Sequence, residues 1–336
     1  MNNSTRIEQM FKSGKTNTMD LEQSLSIRAA WLAYVGGYTQ EQIAERLGVS
    51  RIKVQRLIAA ATQGGFVKFF VEGVPAECIA LEEQLMQVHG LRRCIVVPNT
   101  RFDEPAETAD MQALGVAAAG FLERELSSGA VRSLGIGHGR TLAAMVERMP
   151  TVQRPNLRFV SLLGSLTRRS AANPYDVIAR LSEKTGGDCY FMPVPFIADS
   201  VADAEVLRAQ RGVQHVLAMA RECELCVVGV ADLGPRTQLL KSQSVTEAEL
   251  QRLCAAGAVG EVAGCFVAAD GSPVHNEMNE RAVGATLDDL RGREVLAVAG
   301  GPGKADAIRA VLRTGVVTAL IVDEATAKLI LSPPAD

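Results

Sequence analysis

The sequence predicts an α/β protein: an N-terminal, all-α (winged) helix-turn-helix head, then a doubly wound domain built on a mostly parallel sheet. Three observations predict it. YTQEQIAERLGVSRIKVQRLIAAA, from Tyr38 to Ala61, reads as two short helices about a glycine turn. From Cys94 onward, short β-prone apolar runs alternate with helical stretches. At 336 residues and 47% hydrophobic content, the chain can build two or three cored domains. The expected boundaries are 1–20 for a flexible extension, 21–72 for the helix-turn-helix domain, 73–90 for a linker and helix, and 91–332 for the α/β domain.

Residues 1–20 are polar and contain Gly14 and three Asn, a composition that suits an extension. Ser24–Val35 (SLSIRAAWLAYV) is an apolar-faced helix that ends at Gly36-Gly37 and backs the helix-turn-helix as a third helix. Tyr38 is placed to face DNA or, the favoured reading, to staple the start of the next helix, and Thr39 to cap it with Gln42 as reciprocal partner. Ile43, Ala44 and Leu47 recur at helical spacing and form a buried face, with small Ala44 where the two helices cross. Gly48 permits the sharp turn, Val49 plugs it, and Ser50 caps the second helix. The apolar face of that helix is Ile52 in part, Val54, Leu57, Ile58 and Ala61.

The opposite face carries Ser50, Arg51, Lys53, Gln55 and Arg56. Arg and Gln suit bidentate contacts to guanine and adenine edges, and Ser, Lys and helix N-terminal amides suit phosphates. Thr39 and Gln40, at the start of the first helix, complete the expected DNA-binding set. Charged outer faces are common on helical hairpins, but caps, small crossing residue and glycine turn at these offsets favour DNA binding. Phe66–Val71 is a β-prone run that suits either a wing, with Lys68 meeting the DNA backbone, or a strand covering the head.

Beyond the boundary at Gly73–Pro75, residues 77–89 form a helix closing at Gly90. Cys94–Val97, Val131–Ile136, Phe159–Leu163, Leu225–Val230 and Glu294–Ala299 are the expected strands. Helices are expected over 108–126, 141–149, 174–185, 203–222, 246–257 and 304–313.

Charge is divided unevenly. Residues 1–75 hold nine Lys/Arg against six acids, so this segment is +3 and the rest of a chain of net charge −3 is −6. A basic head on an acidic body fits a DNA reader joined to a body with another task. No apolar run approaches the ~20 residues of a membrane span, and the polar start lacks the apolar core of a secretion signal. Seven scattered cysteines argue for a reducing cytoplasm over a disulfide frame, and the CxxC of Cys223 and Cys226 has no second pair at zinc spacing. No metal site, cofactor or membrane partner is expected. No Ser-His-Asp, paired-carboxylate or zinc signature marks a catalytic centre.

Ligands of doubly wound sheets sit at the carboxyl ends of strands, where loops feed helix N-termini. Two such loops are rich in glycine. Gly135-Ile-Gly-His-Gly-Arg-Thr141 follows a strand and opens a helix. Gly137 and Gly139 permit close approach to an anion, Thr141 offers a hydroxyl, Arg140 a charge, and His138 lies within reach. Arg140 occupies the third glycine position of the dinucleotide fingerprint, which excludes that motif. Ala299-Gly-Gly-Pro-Gly-Lys304 is the second loop. It is not a P-loop: Val298 stands at the first glycine and Ala305 at the magnesium-binding hydroxyl, which argues against ATP. Its amides and Lys304 suit a small phosphate. Gly164 and Ser165, after the next strand, are further candidates. Asp232 and Asp270 are placed to accept from sugar hydroxyls, although Asp270-Gly271 is also a good turn.

The head motif, followed in order by GIGHGRTL, VVGVADLGP, GAVGEV, DGSPV, NERAVGATLDDL and AGGPGKADAIRAVL, resembles the SorC family of sugar-binding transcriptional regulators from Ile27 to Asp323. GIGHGRTL, RFVSLLGSLTRRSAANPYDV and MPVPFIADSVADAEVLRAQRGV are most similar to erythritol-type polyol catabolism regulators. The resemblance implies that 91–332 binds a sugar, polyol or sugar phosphate on a fold like that of the isomerases of ribose 5-phosphate and glucosamine 6-phosphate. It implies a cytoplasmic homo-oligomer, a tetramer, on palindromic or repeated operator half-sites, acting as repressor of a catabolic operon. By motif, Gly139, Arg140 and Thr141 would hold the phosphate or equivalent polar end, Lys304 would close from the other loop, and Asp232 and Asp270 would meet hydroxyls. The loop Leu163-Gly-Ser165-Leu departs from the pattern in having no basic residue at its tip, with Arg168 and Arg169 just beyond. That leaves both a phosphorylated effector and a free polyol open. The alternative function is a sugar-phosphate isomerase-like enzyme carrying a DNA-binding head.

Overall fold

A computed structural model describes residues 18–67, 73, 75–99, 111–165 and 177–333. The expected extension therefore lies almost wholly outside the described residues, as do Lys68, Arg168 and Arg169. The chain divides into two units, Met1–Phe70 and Val71–Asp336.

In the first unit, helix Thr18–Ala30 continues as a π turn, Trp31–Val35, and is followed by helices Gln40–Leu47 and Arg51–Gln63. Ala29, Ile43, Val54 and Leu57 form its core, with Leu25, Leu32, Tyr38, Ala44, Leu47, Val49 and Ile58 packed around them. Both expected caps are present: Thr39 and Gln42 form a reciprocal box, and Ser50 Oγ accepts from Lys53 N–H. Gly48 sits at φ 64, the left-handed conformation that lets the chain reverse between helices. Tyr38 packs on this core with the Arg46 guanidinium 4.1 Å above its ring. One expectation is corrected here: Ile52 is 65% exposed and belongs to the outer face. Phe66 and Val67 carry no strand, and the remainder of the expected Phe66–Val71 strand lies outside the described residues.

The second unit is built on a seven-stranded parallel sheet in the order β1-β10-β9-β5-β2-β3-β4. The strands are β1 Arg93–Val97, β2 Ser133–Ile136, β3 Arg158–Ser161, β4 Asp188–Tyr190, β5 Leu225–Val228, β9 Glu294–Val298 and β10 Ala319–Asp323. Central strands such as LCVV and ALIVD are apolar on successive residues because helices cover both faces. Alternation along each strand assigns side chains to two cores. Cys226, Val228, Val295, Ala297, Leu320 and Val322 face one layer. Leu134, Ile136, Leu225, Val227, Leu296, Val298 and Ile321 face the other. Gly135 is required at the centre, since a Cβ there would lie 2.6 Å from Leu162 Cδ2 and 2.9 Å from Cys226 Sγ.

A second, antiparallel sheet of β6 Ala231–Asp232, β7 Ala258–Val262 and β8 Cys265–Ala268 was not expected. It packs closely on helix Ala305–Arg313, where Gly260 meets Ala307 with no room for a larger side chain. The expected helix over 203–222 is two helices, Val201–Ala209 and Arg211–Glu222, broken at Gln210 in extended conformation.

Candidate functional site

The exposed face of the head presents the expected DNA-binding side chains together. Arg51, Lys53, Gln55 and Arg56 are all exposed on helix Arg51–Gln63, while Val54, Leu57 and Ala61 on the same helix are buried. Spacing alone produces this division, because residues three and four apart share a face. Thr39 is exposed and Gln40 half-buried at the start of the preceding helix. Arg51 Nη1 lies 2.8 Å from Glu41 Oε1 in an exposed pair. The Thr39 and Ser50 side-chain oxygens are occupied as caps.

In the second unit the strand order places a crevice at its centre. After β2 the chain winds outward to β3 and β4; after β5 it winds the other way, to β9 and β10. Loops leaving β2 and β5 therefore diverge, which opens the crevice where ligands of such sheets bind. A cavity of about 370 Å³ lies there, lined from β2 by Gly137–Leu142, from β5 by Val228–Asp232, and from β9 by Gly300, Gly301, Gly303 and Lys304. Two helices begin at this cavity, Arg140–Arg148 behind Gly139 and Ala305–Arg313 behind Lys304, and no side chain caps either. Their first-turn amides and dipoles favour an anion. Gly139, at φ 133, adopts a conformation that a side chain would strain.

Four basic side chains, Arg140, Arg236, Lys241 and Lys304, line the cavity against two carboxylates, Asp232 and Glu261. Lys304 Nζ donates to Val230 O at 2.8 Å, one of its three possible donations. Burial lowers the Lys304 pKa; Asp232 and Glu261 oppose that effect and Arg140 adds to it. Glu261 lies on β7 and its Oε1 accepts from Gly264 N–H at 2.7 Å. Burial pushes its carboxyl up to about 7, with that hydrogen bond and Lys304 acting in the opposite direction. The cavity thus holds a buried carboxyl whose pKa lies near neutrality together with a buried ammonium.

The expected residues divide in two. Gly137, His138, Gly139, Arg140, Thr141, Asp232 and Lys304 meet around one cavity. The Thr141 hydroxyl donates to Met111 Sδ at 3.7 Å. Gly164, Ser165 and Asp270 do not line it. Gly164 N–H donates to Val283 O and Ser165 N–H to Val194 O, so that their backbone ties neighbouring segments together. Asp270 is exposed, and its Oδ1 accepts from Ser272 Oγ and N–H, bonds that close a turn and lower its pKa. The good-turn reading of Asp270-Gly271 is the one the geometry realises. Burial pushes the Cys223 and Cys226 thiols up to about 12, which disfavours their thiolate forms. Sequence reasoning missed Glu261, Arg236 and Lys241. For Glu261 a signal existed, a lone acid inside the otherwise apolar AVGEVAGCFVAA.

Residues 74–332 match the family described as "Putative sugar-binding domain". The chain is 44% identical over 315 residues to the erythritol catabolism regulatory protein EryD of Brucella abortus, covering 94% of this chain and 98% of that protein. The chain belongs to the sugar-binding family of transcriptional regulators. This regulator is also 32% identical over 318 residues to the transcriptional regulator LsrR of Klebsiella pneumoniae, with 93% of this chain and 94% of that one covered. The full-length sorbitol operon regulator SorC from Klebsiella pneumoniae shares its fold at a TM-score of 0.67 and 21% identity, over 93% of this chain and 99% of that one. Among the described residues, no helix of the regulator is long and apolar enough to cross a membrane.

Proposed function

We propose that the regulator represses a carbohydrate or polyol catabolic operon, and that a small phosphorylated polyol or sugar in the central cavity controls its grip on operator DNA. The observation that carries this reading is the convergence on one cavity, among the described residues, of two helix N-termini without side-chain caps and four basic side chains, against two carboxylates. That excess of positive potential suits a phosphate, and Asp232 and Glu261 suit the hydroxyls of the same molecule. The names of similar proteins support the metabolic setting: one regulates erythritol catabolism, and another, 28% identical, is a deoxyribonucleoside regulator. Arg51, Lys53, Gln55 and Arg56 read and hold operator DNA. A cytoplasmic homo-oligomer, a tetramer, would present paired heads to palindromic or repeated half-sites.

Effector binding controls DNA only if it favours one of two states of the protein, since equal affinity for both shifts nothing. The test is fluorescence anisotropy on DNA from upstream of the regulator's own gene, at fixed salt, with a panel of free and phosphorylated polyols. A phosphorylated compound that weakens specific binding supports the reading; a free polyol acting alone removes the phosphate from it. The isomerase-like alternative would need a general acid and a general base at the reacting carbon, and Glu261 and Lys304, which line the same cavity, are the residues to test for it. Turnover of a phosphosugar, abolished by Glu261→Gln, would establish it.

A further inference from the structure

The loop that carries Lys304 is held in shape partly by residues outside it. Gly301 N–H is shared by two acceptors from the following β-α unit, Asp323 Oδ2 at 2.8 Å and Thr326 Oγ1 at 2.9 Å. Asp323 ends β10, and its other oxygen caps helix Glu324–Leu331 by accepting from Thr326 N–H at 2.9 Å. The Thr326 hydroxyl lies 2.7 Å from Asp323 Oδ2 and 2.9 Å from Oδ1, so three groups form one closed network. Both side chains are buried, Thr326 completely. Gly301 O in turn accepts from Lys304 N–H at 2.8 Å. Residue 301 is therefore fixed at its N–H from outside and at its C=O by the residue whose ammonium enters the cavity. The fit leaves no slack: a Cβ on Gly300 would lie 2.2 Å from Asp323 Oδ2. Neither Asp323 nor Thr326 lines the cavity.

We infer that Asp323 and Thr326 are positioning residues of the effector site, which set anion affinity by clamping the Gly300–Lys304 loop without touching the ligand. The inference rests on reading the cavity as an anion site. Its chemistry is specific. A carboxylate can accept from Gly301 and Thr326 at once, one N–H on each oxygen. Asparagine at 323 has one oxygen and an NH₂, so either the loop or the helix cap would face a donor. Valine at 326 keeps the volume but loses the second acceptor for Gly301, whereas serine retains it.

The experiment is calorimetric titration of the full-length protein with inorganic phosphate at fixed salt, on the wild type, T326V, T326S, D323N and K304A, with thermal unfolding and operator affinity measured in parallel. T326V is expected to raise the phosphate Kd about three- to tenfold, the order of one lost hydrogen bond, while T326S stays within about twofold. D323N is expected to lose more, and operator affinity without effector stays at the wild-type value throughout. If D323N does not fold, T326V and T326S decide alone. T326V that binds phosphate like the wild type while K304A loses binding overturns the clamp and leaves the site reading intact. A loss that T326S shares equally also overturns it, because the hydroxyl would then be irrelevant. Wild-type protein that does not bind phosphate removes both the site reading and the clamp.

Discussion

Replacing Glu261 by glutamine should make the regulator more stable at alkaline pH and leave it unchanged in acid. Glu261 is 9% exposed, and burial pushes its carboxyl from the ordinary 4.5 to about 7. In the unfolded chain the group loses its proton near 4.5; in the folded chain it retains it up to about 7. Between those values the folded state binds the extra proton, so rising pH favours unfolding, and above about 7 the full cost remains. At 1.36 kcal/mol per unit, a gap of about 2.5 units costs about 3 kcal/mol. Glutamine keeps the shape and can still accept from Gly264 N–H, but never ionises. The attraction of Lys304 and the Gly264 hydrogen bond are already contained in that value, so the gain above pH 7 is about 3 kcal/mol. Urea unfolding at about pH 5 and about pH 8, followed by circular dichroism, reads this difference. The sole tryptophan, Trp31, belongs to the head and is 63% exposed, so its fluorescence serves as an internal control for the other unit. Stability differences that are identical at the two pH values would refute the reasoning.

Four other perturbations address separate parts of the chain. Thr39→Ala should cost the head about 1 kcal/mol by removing the capping box, read as a lower unfolding midpoint in Trp31 fluorescence. Arg51→Ala or Gln55→Ala should weaken specific operator binding by about 1–3 kcal/mol per lost base contact, measured by anisotropy, with folding unchanged. Gly135→Ala should destabilise the second unit by about 1–3 kcal/mol in chemical denaturation, because its methyl would press on Leu162 and Cys226. Lys304→Ala should bind operator normally but fail to respond to effector; a normal response would take Lys304 out of the site.

Local rules were enough to read the head. Its core positions recur at helical spacing within one short stretch, its caps lie three residues from their partners, and its turn needs a left-handed glycine. Ile52 was the exception, since an apolar type does not reveal that a position is exposed. In the body, apolar runs identified five of the seven strands of the parallel sheet, whose central members are buried on both faces. The edge strand β4, the buried strand β10 and the antiparallel β6-β7-β8 sheet were not expected. β4 is three residues long, and β7 of the antiparallel sheet is interrupted by Gly260, which packs on Ala307, more than forty positions away in sequence.

Neighbours a few residues apart settle the helices, caps and turn of the head, most strands of the parallel sheet and the two glycine loops, and these were legible in the sequence. That the loops after β2 and β9 share a cavity follows from the fold, because β5, drawn from another part of the chain, inserts between those strands. Tertiary structure alone also brought Glu261 beside Lys304 and seated Gly301 on Asp323 and Thr326. It likewise sent Asp270, Gly164 and Ser165 elsewhere, to closing turns and tying segments. Burial and charge are sums over everything that surrounds a group, and a one-dimensional pattern does not contain those surroundings.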